Sequence, residues 1–337
     1  MTKNKIRVIF FHRKPRKQNF SVEILFEEIR KNFSDFIDPI LSISKYESNG
    51  IWKRFYITIQ AALRQKWGDI NHVTGDVNFL VAFMKKKRTI LTILDVGFMN
   101  HPNPIVRFIL RIFWIVLPVN RAEVITTISQ ASKNEILKYV KCDPNKIKVV
   151  YVPISSNFKL SEKPFNKKCP VILQIGTKPN KNVDRLIESI KDVPCHLDIV
   201  GEISEETQRK LEEYNINYSN SFRIPEEEMI IKYQNCDIVA FMSTYEGFGM
   251  PIVEANMVGK PVITSNLLSM PEVAGDAAHL VNPFDIGDMR NGILKVIEDD
   301  VYRNKLIENG IQNFKRFDPQ LIAKQIESIY YEIYSIK

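Results

Sequence analysis

Residues 238–266 constrain the fold more than any other part of this sequence. The apolar run Ile238–Met242 has the length of a buried strand, and a turn with two glycines follows it. Pro251 stands where a helix would begin and Gly259 where it would end, and the apolar residues 262–264 predict a second strand. This order of strand, loop, helix and strand predicts part of a parallel α/β sheet. The loop then lies at the carboxyl end of a strand, where open α/β sheets bind ligands.

The residues of this loop are suited to binding a polar ligand. Gly247 and Gly249 allow positive φ angles and a close approach of the backbone to a ligand. The N–H groups at the start of the following helix favour a phosphate. Glu246 and Glu254 can reach one cavity, and their carboxylates accept hydrogen bonds from ribose or sugar hydroxyls. The alternative is a tight turn with solvated glutamates.

The motif EGFGMPIVE has seven residues between its two glutamates and resembles the E-x(7)-E element of the family-four retaining glycosyltransferases. The resemblance continues through KPVITSN and SMPEVAGDAAHLVNPFD. Upstream, QIGTKPNKNVDRLIES resembles the glycine-then-lysine loop that opens the second domain in that family. The matches cover residues 169–285 well and the first half of the chain weakly. The resemblance implies the GT-B fold, an α/β fold with two Rossmann-like domains that face each other across a cleft.

The resemblance also implies roles for individual residues. Lys181 would neutralise the donor diphosphate together with the N–H groups after Glu246, while Glu254 would hold the ribose and Glu246 the transferred sugar. Many members carry an arginine where this chain has Asn180, so either Lys178 replaces that arginine or the leaving group is held with one cation fewer. Arg223 and Ile224 fall where the family holds the base through backbone groups. The predicted catalytic residues are Glu246 and Lys181, and the predicted donor-binding residues are Gly176, Thr177, Lys178, Lys181, Arg223, Ile224, Glu246, Gly247, Phe248, Gly249, Met250 and Glu254.

A length of 337 residues is typical of two domains. Strand and helix patterns alternate in both halves, which predicts two Rossmann-like domains. The predicted boundaries are 1–155 for an acceptor domain, 156–168 for a linker, 169–316 for a nucleotide-sugar donor domain, and 317–337 for a last helix that returns to the first domain.

The net charge of +8 hides a division between the halves of the chain. Residues 1–168 contain 30 Lys and Arg and 13 Asp and Glu, whereas residues 169–337 contain 17 and 26. A basic half can meet nucleic acid, an anionic membrane or a phosphorylated substrate, and solvated surface lysines are the alternative. A nucleic-acid-binding protein is the weaker hypothesis, because few aromatics interleave with the basic residues and no nucleic-acid motif is present.

Four residues of the first half are candidates for the acceptor side. Arg13 and Arg16 lie in a basic loop between the first strand and a helix, which favours an anion site, with a solvated loop as the alternative. Asp76 and Asp95 follow predicted strands. Relatives often have a His-Asp pair where this chain has Leu94-Asp95, so a histidine-based role is in doubt. Asp95 could orient the acceptor, or it could cap a turn.

The apolar segment Pro104–Arg121 permits two interpretations. Arg107 and Arg111 interrupt it, so it could lie in a membrane interface with Phe113 and Trp114 as anchors. It could equally be a helix that packs on the sheet, with the arginine heads reaching water.

Several patterns argue against other classes of protein. The four cysteines lie far apart, which is typical of reduced residues in a cytosolic protein. The N-terminus lacks a long apolar core, and no run of about 18 apolar residues occurs. No Asp-x-Asp pair suggests a metal site, and no cofactor is expected. We therefore expect a cytoplasmic protein, with a peripheral position at the inner face of the membrane as a variant of that expectation.

The function that the resemblance implies is retaining, metal-independent hexosyl transfer from a UDP- or GDP-linked sugar to a hydroxyl acceptor. The basic first half favours an anionic or lipid-linked glycan acceptor, as in bacterial surface glycan synthesis. A non-catalytic binding or scaffold subunit of the same fold is the alternative, since the family histidine is missing and the Lys181 loop is altered.

Overall fold

The computed structural model of the chain describes residues 5–15, 21–155 and 157–335. The chain divides into two compact units. Unit 1 contains Met1–Pro153 and Asp318–Lys337, and unit 2 contains Ile154–Phe317. Each unit is built on a parallel sheet with helices between the strands, which confirms the predicted α/β class with two Rossmann-like domains.

In unit 1, the described residues form a six-stranded parallel sheet with the order β2-β1-β3-β4-β5-β6. Its strands are β1 Ile6–His12, β2 Ile37–Ile43, β3 Ile70–Val73, β4 Thr89–Thr92, β5 Val124–Thr127 and β6 Ile147–Val149. Its helices are α1 Ser21–Lys31, α2 Ile51–Arg64, α3 Pro104–Leu110, α4 Leu117–Arg121, α5 Gln130–Tyr139 and, from the end of the chain, α13 Pro319–Ser335.

Strand β2 is absent from the sequence prediction. Asp38 and Pro39 interrupt its apolar pattern, and most of its side chains are not buried. A proline is tolerated here because β2 is the edge strand of the sheet and pairs only with β1. Position at the edge therefore explains why this strand lacks the signature of a buried one.

The segment Pro104–Arg121 is helical but not uniform. Between α3 and α4 the backbone forms a π-helix, Arg111–Val116. Ile115 is buried in the core of unit 1, as the packed-helix interpretation predicts, whereas no residue of α3 is buried. The segment thus combines a packed second half with an exposed first half.

A buried chain of polar side chains crosses the sheet of unit 1. Tyr330 Oη lies 2.7 Å from His72 Nδ1, and His72 Nε2 lies 2.8 Å from Thr92 Oγ1. Thr92 Oγ1 lies 2.7 Å from Thr126 Oγ1. Burial lowers the pKa of His72 to about 3, so the imidazole stays neutral. These contacts attach α13 to the strands of unit 1.

In unit 2, the described residues form a second six-stranded parallel sheet with the order β12-β11-β10-β7-β8-β9. Its strands are β7 Val171–Ile175, β8 His196–Val200, β9 Tyr218–Ser221, β10 Ile238–Phe241, β11 Val262–Ser265 and β12 Ala278–Val281. Its helices are α6 Val183–Ser189, α7 Glu205–Glu213, α8 Glu226–Asn235, α9 Met250–Val258, α10 Met270–Ala274, α11 Ile286–Glu298 and α12 Asp300–Asn313.

The predicted linker, 156–168, belongs to unit 2 in the structure. Ser161 donates its N–H to Val258 O at 3.0 Å and its hydroxyl to Gln234 O at 2.8 Å. Lys163 Nζ lies 2.5 Å from the buried carboxylate of Asp237. Its polar composition predicted a linker, and these contacts hold the segment on the surface of unit 2.

In both sheets, the direction in which successive strands are added reverses beside the first strand. In unit 1 the chain passes from β1 to β2 on one side and then to β3 on the other. In unit 2 it passes from β7 to β8 and β9 on one side and then to β10 on the other. The loops after β1 and β3, and those after β7 and β10, therefore meet at switch points, where open α/β sheets bind ligands.

Within the described residues, no helix combines the length and the apolar character needed to cross a membrane.

The substitution Tyr330→Phe tests the attachment of α13 to unit 1. It deprives His72 of its hydroxyl partner inside the core, so we expect the free energy of unfolding to fall by about 1–3 kcal/mol. Tyr331→Phe is the matched control, because Tyr331 is exposed on the same helix. Urea denaturation of both variants measures the difference, and equal stabilities would contradict the assignment.

Candidate functional site

The switch point of unit 2 brings together the loop after β7, residues 176–182, and the loop after β10, residues 242–249. Thr244 donates its N–H to Asn180 O at 2.8 Å. Asn180 Nδ2 donates to Tyr245 O at 2.9 Å. The two loops are therefore joined by a backbone hydrogen bond in one direction and by a side-chain hydrogen bond in the other.

Lys181 and Glu246 form an ion pair where these loops meet. Lys181 Nζ lies 2.7 Å from Glu246 Oε1, and the two side chains are 19% and 16% exposed. Asn180 Nδ2 donates to the same oxygen at 3.2 Å. Lys181 Nζ also lies 4.6 Å from the centroid of the Phe241 ring. A cation and a carboxylate are thus held together in a partly covered position from which both can contact a ligand.

Two glycines have backbone conformations that this arrangement requires. Gly176 has a φ of +83°, and a Cβ at this position would lie 3.0 Å from Lys181 Cε, so the stem of the lysine lies over the glycine. Gly249 has a φ of +112° and directly precedes α9. Residues that carry a side chain rarely adopt either φ angle, so both positions favour glycine.

The loop before α9 is held by a buried serine. Ser269 Oγ lies 2.9 Å from Glu246 O and 2.8 Å from Phe248 O, and its hydroxyl donates to these carbonyls. Phe248 is buried with its ring edge-on to Phe317 at 5.5 Å. These contacts place Gly247, Phe248 and Gly249 directly ahead of the N-terminus of α9. The positive end of the helix dipole at such a terminus favours an anion.

Glu254 lies in α9 and is paired with a tyrosine from α8. Tyr233 is fully buried and donates its hydroxyl to Glu254 Oε2. Burial raises the pKa of Glu254 to about 7, although the hydrogen bond from Tyr233 acts in the opposite direction. Burial also raises the pKa of Tyr233 well above its usual value, so the hydroxyl keeps its proton and acts as a donor.

The other predicted donor-binding residues lie at the same edge of the sheet. Thr177 donates its hydroxyl to Glu202 O at 2.6 Å, which joins the loop after β7 to the loop after β8. Lys178 is exposed. Arg223, with a φ of 57°, and Ile224 follow β9, two strands from β7. At a strand spacing of about 4.8 Å, β9 lies about 10 Å from β7 along the sheet.

The candidate acceptor residues of unit 1 have a different arrangement from the one predicted. Arg13 is only 4% exposed and donates to Glu23 Oε1 at 2.8 Å and to Asp76 at the switch point. Two carboxylates already compensate its charge, so Arg13 does not provide the predicted anion site. Asp95 accepts from Gly97 N at 2.8 Å, as a turn-capping aspartate does. Arg16 lies outside the described residues.

Within the described parts of the chain, no group of three or more His, Cys, Asp or Glu side chains is placed to hold a metal ion. The groups gathered in unit 2 are a cation, a helix N-terminus and two carboxylates. The first two favour an anionic ligand, and the carboxylates can accept hydrogen bonds from hydroxyls.

Comparison with known proteins agrees with these properties. The model of the family described as glycosyl transferases group 1 matches residues 156–313, so unit 2 carries a domain of this family.

Two curated relatives illustrate the similarity. O-antigen chain mannosyltransferase B of Escherichia coli is 26% identical over 277 residues, which are 72% of this chain and 70% of that protein. Serotype-specific mannosyltransferase WbdA of Escherichia coli is 25% identical over 222 residues, which are 58% of this chain. The match covers only 27% of the length of WbdA.

Among solved structures, Anabaena HepE in complex with UDP and glucose has the same fold. It superposes with a TM-score of 0.79 at 18% identity and covers 97% of this chain and 100% of its own. WaaG, a glycosyltransferase involved in lipopolysaccharide biosynthesis, superposes with a TM-score of 0.71 at 14% identity and covers 96% of this chain and 99% of its own. These similarities confirm the predicted GT-B fold.

The sequence prediction did not assign a supporting role to three residues of the site. Ser269 and Tyr233 each contact the site through hydrogen bonds to residues more than 20 positions away, and no local pattern marks them. Asn180 was identified only as the replacement of an arginine, whereas its amide fixes both Tyr245 and Glu246.

The half-buried position of Glu254 predicts a pH-dependent stability. Its pKa of about 7 in the folded chain lies above the usual value of 4.5, so between these values the folded state binds more protons than the unfolded state. The contribution of Glu254 to the free energy of unfolding is therefore most favourable below about pH 4.5 and decreases as the pH rises through 7.

Glu254→Gln should remove this pH dependence. The difference in free energy of unfolding between the variant and wild type should therefore shift in favour of the variant by on the order of 1–3 kcal/mol from pH 5 to pH 8. Glu228→Gln is the control, since Glu228 is exposed on α8. Urea denaturation at the two pH values measures the effect, and a parallel pH dependence in wild type and Glu254→Gln would contradict it.

Proposed function

Since unit 2 carries a domain of the glycosyl transferases group 1 family, we propose that this protein transfers a hexosyl group from a nucleotide-sugar to a hydroxyl acceptor. The observation that carries the proposal is the Lys181–Glu246 pair, which lies at the switch point of unit 2 and ahead of the N-terminus of α9. The curated relatives named above are mannosyltransferases, which supports sugar transfer.

The donor diphosphate would bind between Lys181 and the N–H groups of residues 247–250. Negative charge develops on the leaving phosphate as the glycosidic bond breaks. A fixed cation and oriented N–H groups stabilise that charge without further reorganisation. When the diphosphate binds, Lys181 can share its contacts between the phosphate and Glu246.

The two carboxylates would bind hydroxyl groups of the donor. Glu254 would accept hydrogen bonds from the ribose, with Tyr233 holding one of its oxygens in place. Glu246 would contact the transferred sugar, which is close to the diphosphate. Arg223 and Ile224, which follow β9 at the same end of the sheet, would contact the base.

The stereochemistry and the donor are finer parts of the proposal. We propose retention of the anomeric configuration, with the donor phosphate assisting removal of the acceptor proton. UDP and GDP are the candidate nucleotides, and the presence of UDP in the HepE complex supports the first. The set of charged groups in unit 2 is consistent with transfer that does not require a metal ion.

The acceptor is proposed to be an anionic or lipid-linked glycan at the inner face of the membrane. The excess of basic residues in 1–168 supports an anionic partner. O-antigen chain mannosyltransferase B of Escherichia coli matches 72% of this chain, which supports a role in surface polysaccharide synthesis. Asp76 and Asp95 remain the candidates on the acceptor side.

A thermal-shift screen against UDP, GDP, ADP and their common sugar conjugates, without metal, tests the donor site. A ligand that binds only the folded state at one hundred times its Kd stabilises it by about 2.7 kcal/mol. We expect a shift with one nucleotide, and no shift in Glu254→Ala. Absence of a shift with every nucleotide would contradict the proposed donor site.

Substitution of the charged groups tests their roles in turnover. Lys181→Ala and Glu254→Ala should each lower kcat/KM for the selected donor at least about tenfold, which corresponds to about 1.4 kcal/mol. Lys305→Ala and Glu228→Ala are matched controls on exposed helix positions. Release of the nucleoside diphosphate is the assay, and wild-type kinetics in both site variants would overturn the roles proposed.

A further inference from the structure

Helix α2 in unit 1 presents an apolar face to solvent. Trp52 is 84% exposed, Ile51 80% and Leu63 64%. We call the exposed apolar residues of this helix the α2 stripe: Ile51, Trp52, Phe55, Tyr56, Ile59 and Leu63. Exposed apolar residues are ordinary when scattered singly, but a continuous group on one element marks an interaction surface.

The α2 stripe is distinct from the face by which α2 packs on unit 1. At about 100° per residue, its six side chains cover about 140° of the helix surface. Ile57 and Ala61 are buried on the opposite side, and the buried Thr58 lies beside the edge of the stripe. The helix therefore has one face that packs against the protein and a second, apolar face that is exposed, with only the Tyr56 ring partly covered by Tyr46 at 5.1 Å.

The surroundings of the α2 stripe are strongly basic. The residues from 51 to 67 and from 104 to 121 include seven basic residues and no acidic ones. The basic residues are Lys53, Arg54, Arg64, Lys66, Arg107, Arg111 and Arg121.

Cationic groups also lie against aromatic rings of this helix and its neighbour. Lys45 Nζ is 5.5 Å from the Tyr56 ring centroid, and the Arg54 guanidinium is 4.8 Å from that of Trp114. Trp114 is thus covered by Arg54 and by the Phe79 ring at 5.2 Å. Of the two aromatic anchors that the sequence suggested, Trp114 is therefore half-buried, whereas Phe113 is 51% exposed.

Two further segments of unit 1 carry the same kinds of side chain. The first half of Pro104–Arg121 exposes Ile105, Phe108 and Ile109, and it leads into the π-helix that carries Trp114. At the other end of α2, Gln65 Oε1 accepts from Lys85 N at 2.9 Å, which places the basic run Lys85–Arg88 beside the end of the helix.

We propose that the α2 stripe docks unit 1 on an anionic lipid surface. The aromatic and aliphatic side chains would enter the boundary between head groups and acyl chains, and the flanking lysines and arginines would contact anionic head groups. Charge favours this partner over a second copy of the chain, because two copies would bring like-charged surfaces together. The inference goes beyond the transfer reaction and does not depend on it.

Co-sedimentation of the full chain with lipid vesicles tests the proposal. We expect the partition coefficient to be at least about tenfold higher on phosphatidylcholine vesicles with about 30% phosphatidylglycerol than on phosphatidylcholine alone. Binding should weaken when the salt concentration rises from about 0.1 M to about 0.5 M, because salt screens the cationic groups.

Substitutions locate the surface. Trp52→Gln, Phe55→Gln and Leu63→Gln together should lower partitioning at least about tenfold, since the apolar groups that enter the membrane are lost. The control combines Ile231→Gln, Val301→Gln and Leu321→Gln, which are also exposed apolar positions but lie apart from one another on α8, α12 and α13. The control should bind vesicles within about twofold of wild type.

Lys53→Gln with Lys66→Gln should reduce the dependence of binding on anionic lipid and on salt. Thermal melting of each variant, with and without the selected nucleotide, shows that the fold and the site in unit 2 are retained. A protein that binds vesicles but shifts with no nucleotide would contradict only the proposed transfer reaction.

Three results would overturn the inference. One is equal vesicle binding by wild type and the stripe variant. The second is binding that neither lipid charge nor salt changes. The third is a concentration-dependent dimer, lost in the stripe variant, in a protein that does not bind vesicles, which would assign the α2 stripe to a second copy of the chain.

Discussion

The parallel pairing of β7 with β10 is the constraint on which the candidate site depends. The two strands pair from Ile172 with Ile238 to Gln174 with Ala240, although about 65 residues separate them in the sequence. Because they run parallel, their carboxyl ends leave the sheet at one edge, and Lys181 meets Glu246 there. The glycine at 176 and the serine at 269 then keep the ion pair and the start of α9 in fixed positions.

Sequence predicted the parts of this site that depend on local structure. Strand, glycine turn, proline and stop glycine predicted β10, α9 and β11 nearly to the residue, because each signal acts within a few positions. The partners of the carboxylates depend on how distant segments pack, so Tyr233 was not predicted as the donor to Glu254. Edge strand β2 was missed for a related reason, since its exposed side carries Asp38 and Pro39.

The distribution of charged residues predicted binding sites less well than the periodicity of apolar residues predicted strands and helices. The basic loop after β1 suggested an anion site, yet Arg13 is buried between Glu23 and Asp76, which come from a helix and from the loop after β3. A burial of this kind requires both carboxylates, because an unpaired guanidinium in the interior is strongly disfavoured. Sequence shows how many charges a segment has, and only the structure shows which of them are compensated.

Unit 1 is distinguished by its exposed apolar side chains and by its excess of basic residues, and both features occur together in α2. Of 26 large apolar side chains that are exposed among the described residues, 19 belong to unit 1, the unit that also holds most of the basic excess. Apolar positions occur on two sides of α2, so periodicity alone could not decide which side faces the core. A helix that packs against one partner needs only one apolar face. The second face of α2, set among cations and without acidic neighbours in its own segment, therefore indicates a second partner that is both apolar and anionic.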